Sequence, residues 1–440
     1  MPGESLSLAW TLPFGGMLLS LAFFPLFAFR FWENHYGKVA FGWACLTILG
    51  LSLTFGIAPA KVSILTTLFH HYLPFVILIG ALYTIAGGIQ IRVNASATPL
   101  MNTALLAFGT LLAGWIGTTG ASMLLIRPLL HMNAHRKNRV HHMIFFIFLI
   151  ANMGGALTPL GDPPLFLGFL QGVSFFWPLH FLSLELLLMS LPLLLIFYGL
   201  DHFFIKKEGL SLQFVWPRID VAGVLNGLVF LGVLGFVLLS GLWKPGVQVS
   251  CLGVSLDVQN VIRDVGLVIL AILSYGLTPR SLHESNHFSW EPLKEIVKLF
   301  FGIFITVIPV IAMLDAGHLG AFSPLLSRMT VEGHLQNAMI FWLSGALSAF
   351  LDNAPTYLVF FHMAGGDASE LMTGLSDTLV ALSLGTVFMG AMTYIGNAPN
   401  FMVKTIAETH KIAMPSFFGY MAWSVMILLP LFYILAWMRF

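Results

Sequence analysis

"NMGGALTPLGDPPLFLGFL", Asn152 to Leu170, interrupts an apolar run with one aspartate and three prolines. Regular helix cannot pass through Pro159, Pro163 and Pro164, because each removes a backbone donor and crowds the preceding turn. Gly154, Gly155 and Gly161 allow tight turns and close approach of other groups. In lipid, non-helical backbone must be buried in protein or line a wet cavity. A charge near the bilayer centre costs at least about 2.5–3.5 kcal/mol, so Asp162 marks a candidate functional site if this run lies in a membrane.

Composition says that it does. The chain has 440 residues, 58% hydrophobic and 9% charged, against roughly 25% charged in soluble domains. Apolar runs of about 20 residues recur, which predicts an all-α polytopic membrane protein embedded in a lipid bilayer. A net charge of +1 leaves no basic footprint for nucleic acid. Cys45 and Cys251 have no metal or redox spacing and read as unpaired thiols. The first apolar stretch, about 7–29, lacks a basic leader and exceeds a signal-peptide core, so it reads as the first span. No cofactor is called for. The absence of a GxxxxGK[ST] motif argues against ATP-driven transport.

Continuous spans are expected near 7–29, 39–57, 62–91 and 177–200, then 220–242, 259–278, 297–315 and 413–438. Between them lie two split hairpins, 101–133 and 336–362, and two broken helices, 143–175 and 378–403. A shift of 235 residues lays Gly155, Ala156, Thr158, Gly161 and Pro164 on Gly390, Ala391, Thr393, Gly396 and Pro399. Asp162 falls on Asn397, and Gly117-Thr118-Thr119-Gly120 on Asp352-Asn353-Ala354-Pro355. The expected organisation is an internal duplication, 1–205 and 215–440. With hairpins that enter and leave on one side, each half crosses the membrane five times. The halves are then inverted repeats, a common design of secondary transporters. That topology puts fifteen of the twenty Lys and Arg residues on one side, which makes that side cytoplasmic. Both termini are expected outside, in the periplasm for a bacterial-type inner membrane.

The breaks free carbonyl oxygens and leave half-helix N-termini aimed at one place. Thr118, Thr119, Ser122, Asn152, Thr158, Asn353, Thr356, Asn397 and Asn400 add neutral oxygen ligands. Asp162 and Asp352 are the only carboxylates in the four interrupted segments, and both are expected to bind sodium or a proton. The plainer alternative is proline kinks whose freed carbonyls bond Ser and Thr, with each aspartate capping the next half-helix. Recurrence at one offset, with polar tips, favours a shared chamber. Asp315 is expected at an interface, and Arg127 as a cytoplasmic anchor. His70 and His71 fit either core or proton-relay roles. "HRKNRVHH", 135–142, is expected as a cytoplasmic loop facing lipid headgroups, with a metal role disfavoured.

"ANMGGALTPLGDPP" and "FLDNAP" resemble motifs of the ion transporter superfamily, the first being similar to the signature of NhaD-type sodium/proton antiporters. Citrate carriers and divalent-anion/sodium symporters belong to the wider group. The resemblance implies a homodimer, a scaffold with an elevator-like transport domain, a cation/proton site at Asp162, Asp352 and Asn353 at the second tip, and Asn397 at the second break. The first tip departs from the pattern, with Gly-Thr-Thr-Gly in place of Asp-Asn. The expected function is exchange of sodium (or lithium) for protons, the transported sodium being held at Asp162 and Asp352. The alternative is cation-coupled symport of citrate or another di- or tricarboxylate. Two acidic groups suit a cation and repel a polycarboxylate. An intramembrane aspartyl protease fits poorly, because "PLGDPP" lacks the Gly-x-Gly-Asp arrangement and duplicated hairpins have no use there.

Overall fold

Prolines and glycines decide where the helices of this chain stop. The computed structural model describes residues 2–210, 215–331 and 334–440; Met1 of the expected first repeat and 211–214 of the junction after it lie outside them. Helix α1 (Leu12–Phe27) ends at Ala28, and α2 (Phe29–Phe55) starts at once. The polar stretch 30–38, expected between spans, is therefore helical. Trp32 and Tyr36, one turn apart, explain this: their rings lie 6.3 Å from each other, and Phe24 of α1 lies 5.9 Å from Trp32. Helix α3 (Ile57–Thr67) continues through a π-helical turn, Leu68–Tyr72, into α4 (Leu73–Gly87). The extra residue in that turn holds His70 and His71 just before Pro74, whose missing donor a regular helix would leave uncompensated.

The first hairpin is α5 (Pro99–Ile116) and α6 (Thr118–Met132). The first broken helix is α7 (Val140–Leu149), an irregular stretch, and α8 (Pro163–Leu170); α9 (Ser183–Glu208) follows. Beyond the junction come α10 (Val224–Leu242), α11 (Val258–Leu277), α12 (Glu291–Thr306) and α13 (Ile308–Asp315). The second hairpin is α14 (Asn337–Leu351) and α15 (Asn353–Met363). The second broken helix is α16 (Ser376–Met389) and α17 (Ala398–Thr409), and α18 (Phe417–Arg439) closes the chain. A short antiparallel pair, Gln90–Asn94 with Arg218–Ala222, links the two halves.

Among the described residues, nine helices are long and apolar enough to cross a membrane. Their apolar surface faces outward: on α10 and α11, Leu228, Leu231 and Ile272 are exposed. In water that would be an aggregation hazard; in a bilayer it is the solvated face. The interior is built from the broken helices instead. Met143 to Leu149 of α7 are buried throughout, as are Thr378 to Met389 of α16. Hydrophobicity cannot drive that packing inside lipid, so close fit must. A Cβ added to Gly345 of α14 would lie 2.1 Å from the Met389 sulfur, and one on Gly385 of α16 would lie 2.5 Å from the Phe341 carbonyl oxygen.

Candidate functional site: a carboxylate among four half-helix ends

The two hairpin tips turn with one backbone conformation. Gly117 has φ 86° and ψ 146°, and Asp352 has φ 82° and ψ 143°. A glycine adopts that left-handed turn freely, whereas an aspartate is strained by about 1–3 kcal/mol. The breaks match as closely: Asp162 has φ −145° and ψ 146°, Asn397 φ −153° and ψ 139°. The Thr158 hydroxyl donates to the Gly114 carbonyl at 2.6 Å and accepts from Leu160 N at 3.2 Å. The Thr393 hydroxyl donates to the Ala349 carbonyl at 2.5 Å and accepts from Ile395 N at 3.2 Å. These bonds pin each break to the neighbouring hairpin.

Asp162 sits at the N-cap of α8 without a capping bond from its side chain. Its carboxylate reaches across instead. Oδ1 accepts from the Thr118 hydroxyl at 3.0 Å and from Asn397 Nδ2 at 3.1 Å, and Oδ2 accepts from Asn353 Nδ2 at 2.5 Å. Thr118 and Asn353 are the first residues of α6 and α15, and Asn397 is the N-cap of α17. Four half-helix N-termini thus meet at one buried aspartate. Each carries about half a positive charge, which favours an anion at the centre. Three direct donors supply what water would otherwise provide. Gly155 makes room for this: a Cβ there would lie 2.7 Å from the Asp162 Cβ and 2.9 Å from the Thr118 methyl.

Asp162 and Asp352 line one chamber of about 60 Å³ with Thr118, Thr119 and Asn397. Its apolar wall includes Phe75, Leu78, Phe166 and Phe300. No sequence signal marked those aromatics, because a phenylalanine in a span reads as lipid-facing or core. Among the described residues, no Lys or Arg lines the chamber. Asp352 is only weakly capped, its Oδ1 lying 3.4 Å from Ala354 N. Two buried oxygens near the tips have no hydrogen-bond partner among the described residues, Asn353 Oδ1 and Ser122 Oγ. The Asn353 amide thus gives its nitrogen to Asp162 and leaves its own oxygen without a partner among the described residues.

The remaining sequence candidates tie the breaks together rather than face the chamber. Asn152 Nδ2 donates to Asn400 Oδ1 at 2.7 Å and to the Ile147 carbonyl at 2.8 Å. Asn400 Nδ2 donates to the Gly390 and Thr393 carbonyls, each at 2.9 Å. Asn397 also bonds the Ala151 carbonyl at 3.1 Å. Thr158 and Thr356 bond backbone carbonyls, that of Asp352 at 2.8 Å in the case of Thr356. Arg127 does not line the chamber, but it stands near Tyr83, which does, and it donates to the Asn286 carbonyl. Asp315 is half exposed and pairs with His362 Nδ1 at 2.7 Å. The 135–142 stretch departs from expectation: Arg136, His141 and His142 are buried, not turned to lipid headgroups. Their partners explain it, since all three converge on Asp201 of α9.

Helices long and apolar enough to span a membrane, packed with hairpins and broken helices that bring two carboxylates to one chamber, fit an integral membrane carrier of the secondary-transport class. A sequence family described as "Putative citrate transport" matches residues 3–440, and the chain belongs to that family. No curated protein matches the chain.

Proposed function

We propose that the chamber is a cation site and that the protein exchanges sodium (or lithium) for protons. One observation carries the reading: a buried carboxylate held by three neutral side-chain donors shares a chamber with a second carboxylate, and among the described residues no Lys or Arg lines that chamber. Such a group takes a proton or a metal cation and not both, which is the competition that exchange requires. The size agrees. About 60 Å³ holds one ion with very few waters, far below the ~300 Å³ or more of sites for organic ligands. The matched tips and breaks support two inverted repeats, each giving one hairpin and one broken helix to the chamber. Elevator-like movement of those segments against the remaining spans would expose the site to each side in turn.

A second reading is cation-coupled symport of a carboxylate such as citrate. The family description favours it, and a larger cavity of about 410 Å³ has room for an organic anion, although Asp257 and Asp264 line it beside Lys244 and Arg263. That cavity lies next to the chamber along both α4 and α8, where Pro74 and Phe169 line it and Phe75 and Phe166 line the chamber. Proteoliposomes loaded with a pH dye separate the two. Exchange predicts that sodium added outside, without citrate, enters as protons leave, so the dye-loaded lumen becomes alkaline. Sodium-dependent uptake of labelled citrate with no proton signal would overturn exchange in favour of symport.

A further inference from the structure

Both feet of the first hairpin meet at one buried aspartate far from the chamber. Asn102, in the first turn of α5, and Asn133, just past the end of α6, bond reciprocally at 3.1 and 2.8 Å. Asn102 Nδ2 also donates to Asp201 Oδ2 at 2.9 Å. Oδ1 of Asp201 accepts from Arg136 Nη2 at 2.9 Å and from His141 Nε2 at 3.0 Å, and lies 3.3 Å from His142 Nε2. Arg136 extends the cluster to Glu208, its Nε lying 3.0 Å from Oε2, and Asn138 bonds the other oxygen at 2.7 and 2.8 Å. Asp201 and the Arg136 side chain are fully buried.

A metal ion is a poor occupant here. His141, His142 and Asp201 do bring three ligand atoms within 4.8 Å of one another. Both oxygens of Asp201 are already taken, however, and the guanidinium on Oδ1 repels a second cation at that place. The cluster is a joint instead. Asp201 and Glu208 belong to α9, His141 and His142 to α7, and Asn102, Asn133 and Arg136 to the feet of the hairpin. From these feet the arms run 18 and 15 residues to the tip, a lever of about 25 Å. The tip bears Thr118, which donates to Asp162. The chain leaving α7 leads to Asp162 itself.

We propose that Asp201 is a positioning residue: it fixes the first hairpin against α7 and α9, and so sets Thr118 on Asp162. Its effect on sodium rests on the cation reading of the chamber; its effect on the hairpin does not. A small rotation at the joint is magnified along the lever, so its loss misplaces the tip while leaving the second hairpin untouched.

The test uses the full chain in lipid nanodiscs and in proteoliposomes, with Asp201→Asn and the milder Glu208→Gln. Hydrogen–deuterium exchange is followed over 99–132, with 337–363 as internal reference. Asp201→Asn is expected to speed exchange in the first hairpin alone. It should also raise KM for sodium about tenfold, the loss of one charge-assisted bond's worth of placement. Its kcat should stay within about twofold, separating binding from turnover. Glu208→Gln gives the same pattern at smaller size, and decides the matter if Asp201→Asn does not fold. Equal loosening of both hairpins, or unchanged KM with merely lower yield, would overturn the proposal. If the wild-type protein shows no sodium response, the cation reading fails, and selective loosening of 99–132 still upholds the joint.

Discussion

The two halves bring the same backbone to the chamber and different charges. At the tips, Gly117 and Asp352 share a left-handed turn; at the breaks, Asp162 and Asn397 share an extended one. The first half puts its carboxylate on the break and leaves its tip bare. The second half puts its carboxylate on the tip and a neutral amide on the break. One backbone plan thus yields two carboxylates in unlike settings: Asp162 receives three side-chain donors, whereas Asp352 is held by backbone N–H groups of its own tip, those of Asn353 and Ala354. Backbone geometry makes the cage, and the placement of charge within it decides what the cage holds.

The largest effect expected is from Asp162→Asn, which keeps the shape and removes the charge. On the proposed exchange, sodium-driven proton movement should fall about 100-fold or more, since the variant lacks the group assigned to that competition. Adding Asn397→Asp restores a carboxylate at the matched position of the other break. Recovery of measurable exchange in the double variant would sharpen the equivalence, and none would limit the site to the first half. In the wild type, lowering the pH on both sides should raise KM for sodium, because protons then occupy more of Asp162. A KM that does not move with pH would break the competition.

Asp352→Gly should do opposite things to stability and transport. It gives the second tip the residue the first tip already has, relieving about 1–3 kcal/mol of backbone strain. The thermal midpoint should rise while KM for sodium increases. A lower midpoint would mean that the strain is absent. Gly155→Ala comes next: its Cβ, 2.7 Å from that of Asp162, should destabilise by about 1–3 kcal/mol and weaken sodium binding. The matched Gly390→Ala meets Asn152 Oδ1 at 3.0 Å and should be milder on both measures. The smallest effects belong to Thr158→Val and Thr393→Val. Each loses a hydroxyl that donates to a hairpin carbonyl and accepts from backbone N–H groups of the break, about 1 kcal/mol per bond, and neither should alter KM. Unequal losses would show that the two breaks are pinned differently.

Much of this was legible in the sequence because proline and aspartate in an apolar run leave few options. The hairpins, the breaks and the tip positions fall within a few residues of where Gly117, Asp162, Asp352 and Asn397 pointed. The sequence could not say which polar groups face the chamber. Thr118 and Asn397 touch Asp162, while Thr158, Asn152 and Asn400 bond backbone and one another; both sets are small polar residues beside a break. Asp201 was hidden for another reason. Near the end of a long helix it reads as an interfacial charge, and its partners lie up to 99 residues away. The histidine and arginine of 135–142 read as solvated for the same cause, since only tertiary packing shows that Asp201 lies beneath them.

The chamber has space for only a few waters. Protons hop along connected water far faster than any protein segment can swing, so a wide, wet path would short-circuit the membrane's voltage whenever the carrier sat idle. A pocket of about 60 Å³, walled by Phe75, Phe166 and Phe300, limits how much connected water can gather at the two carboxylates, and with it the leak of protons past an idle protein.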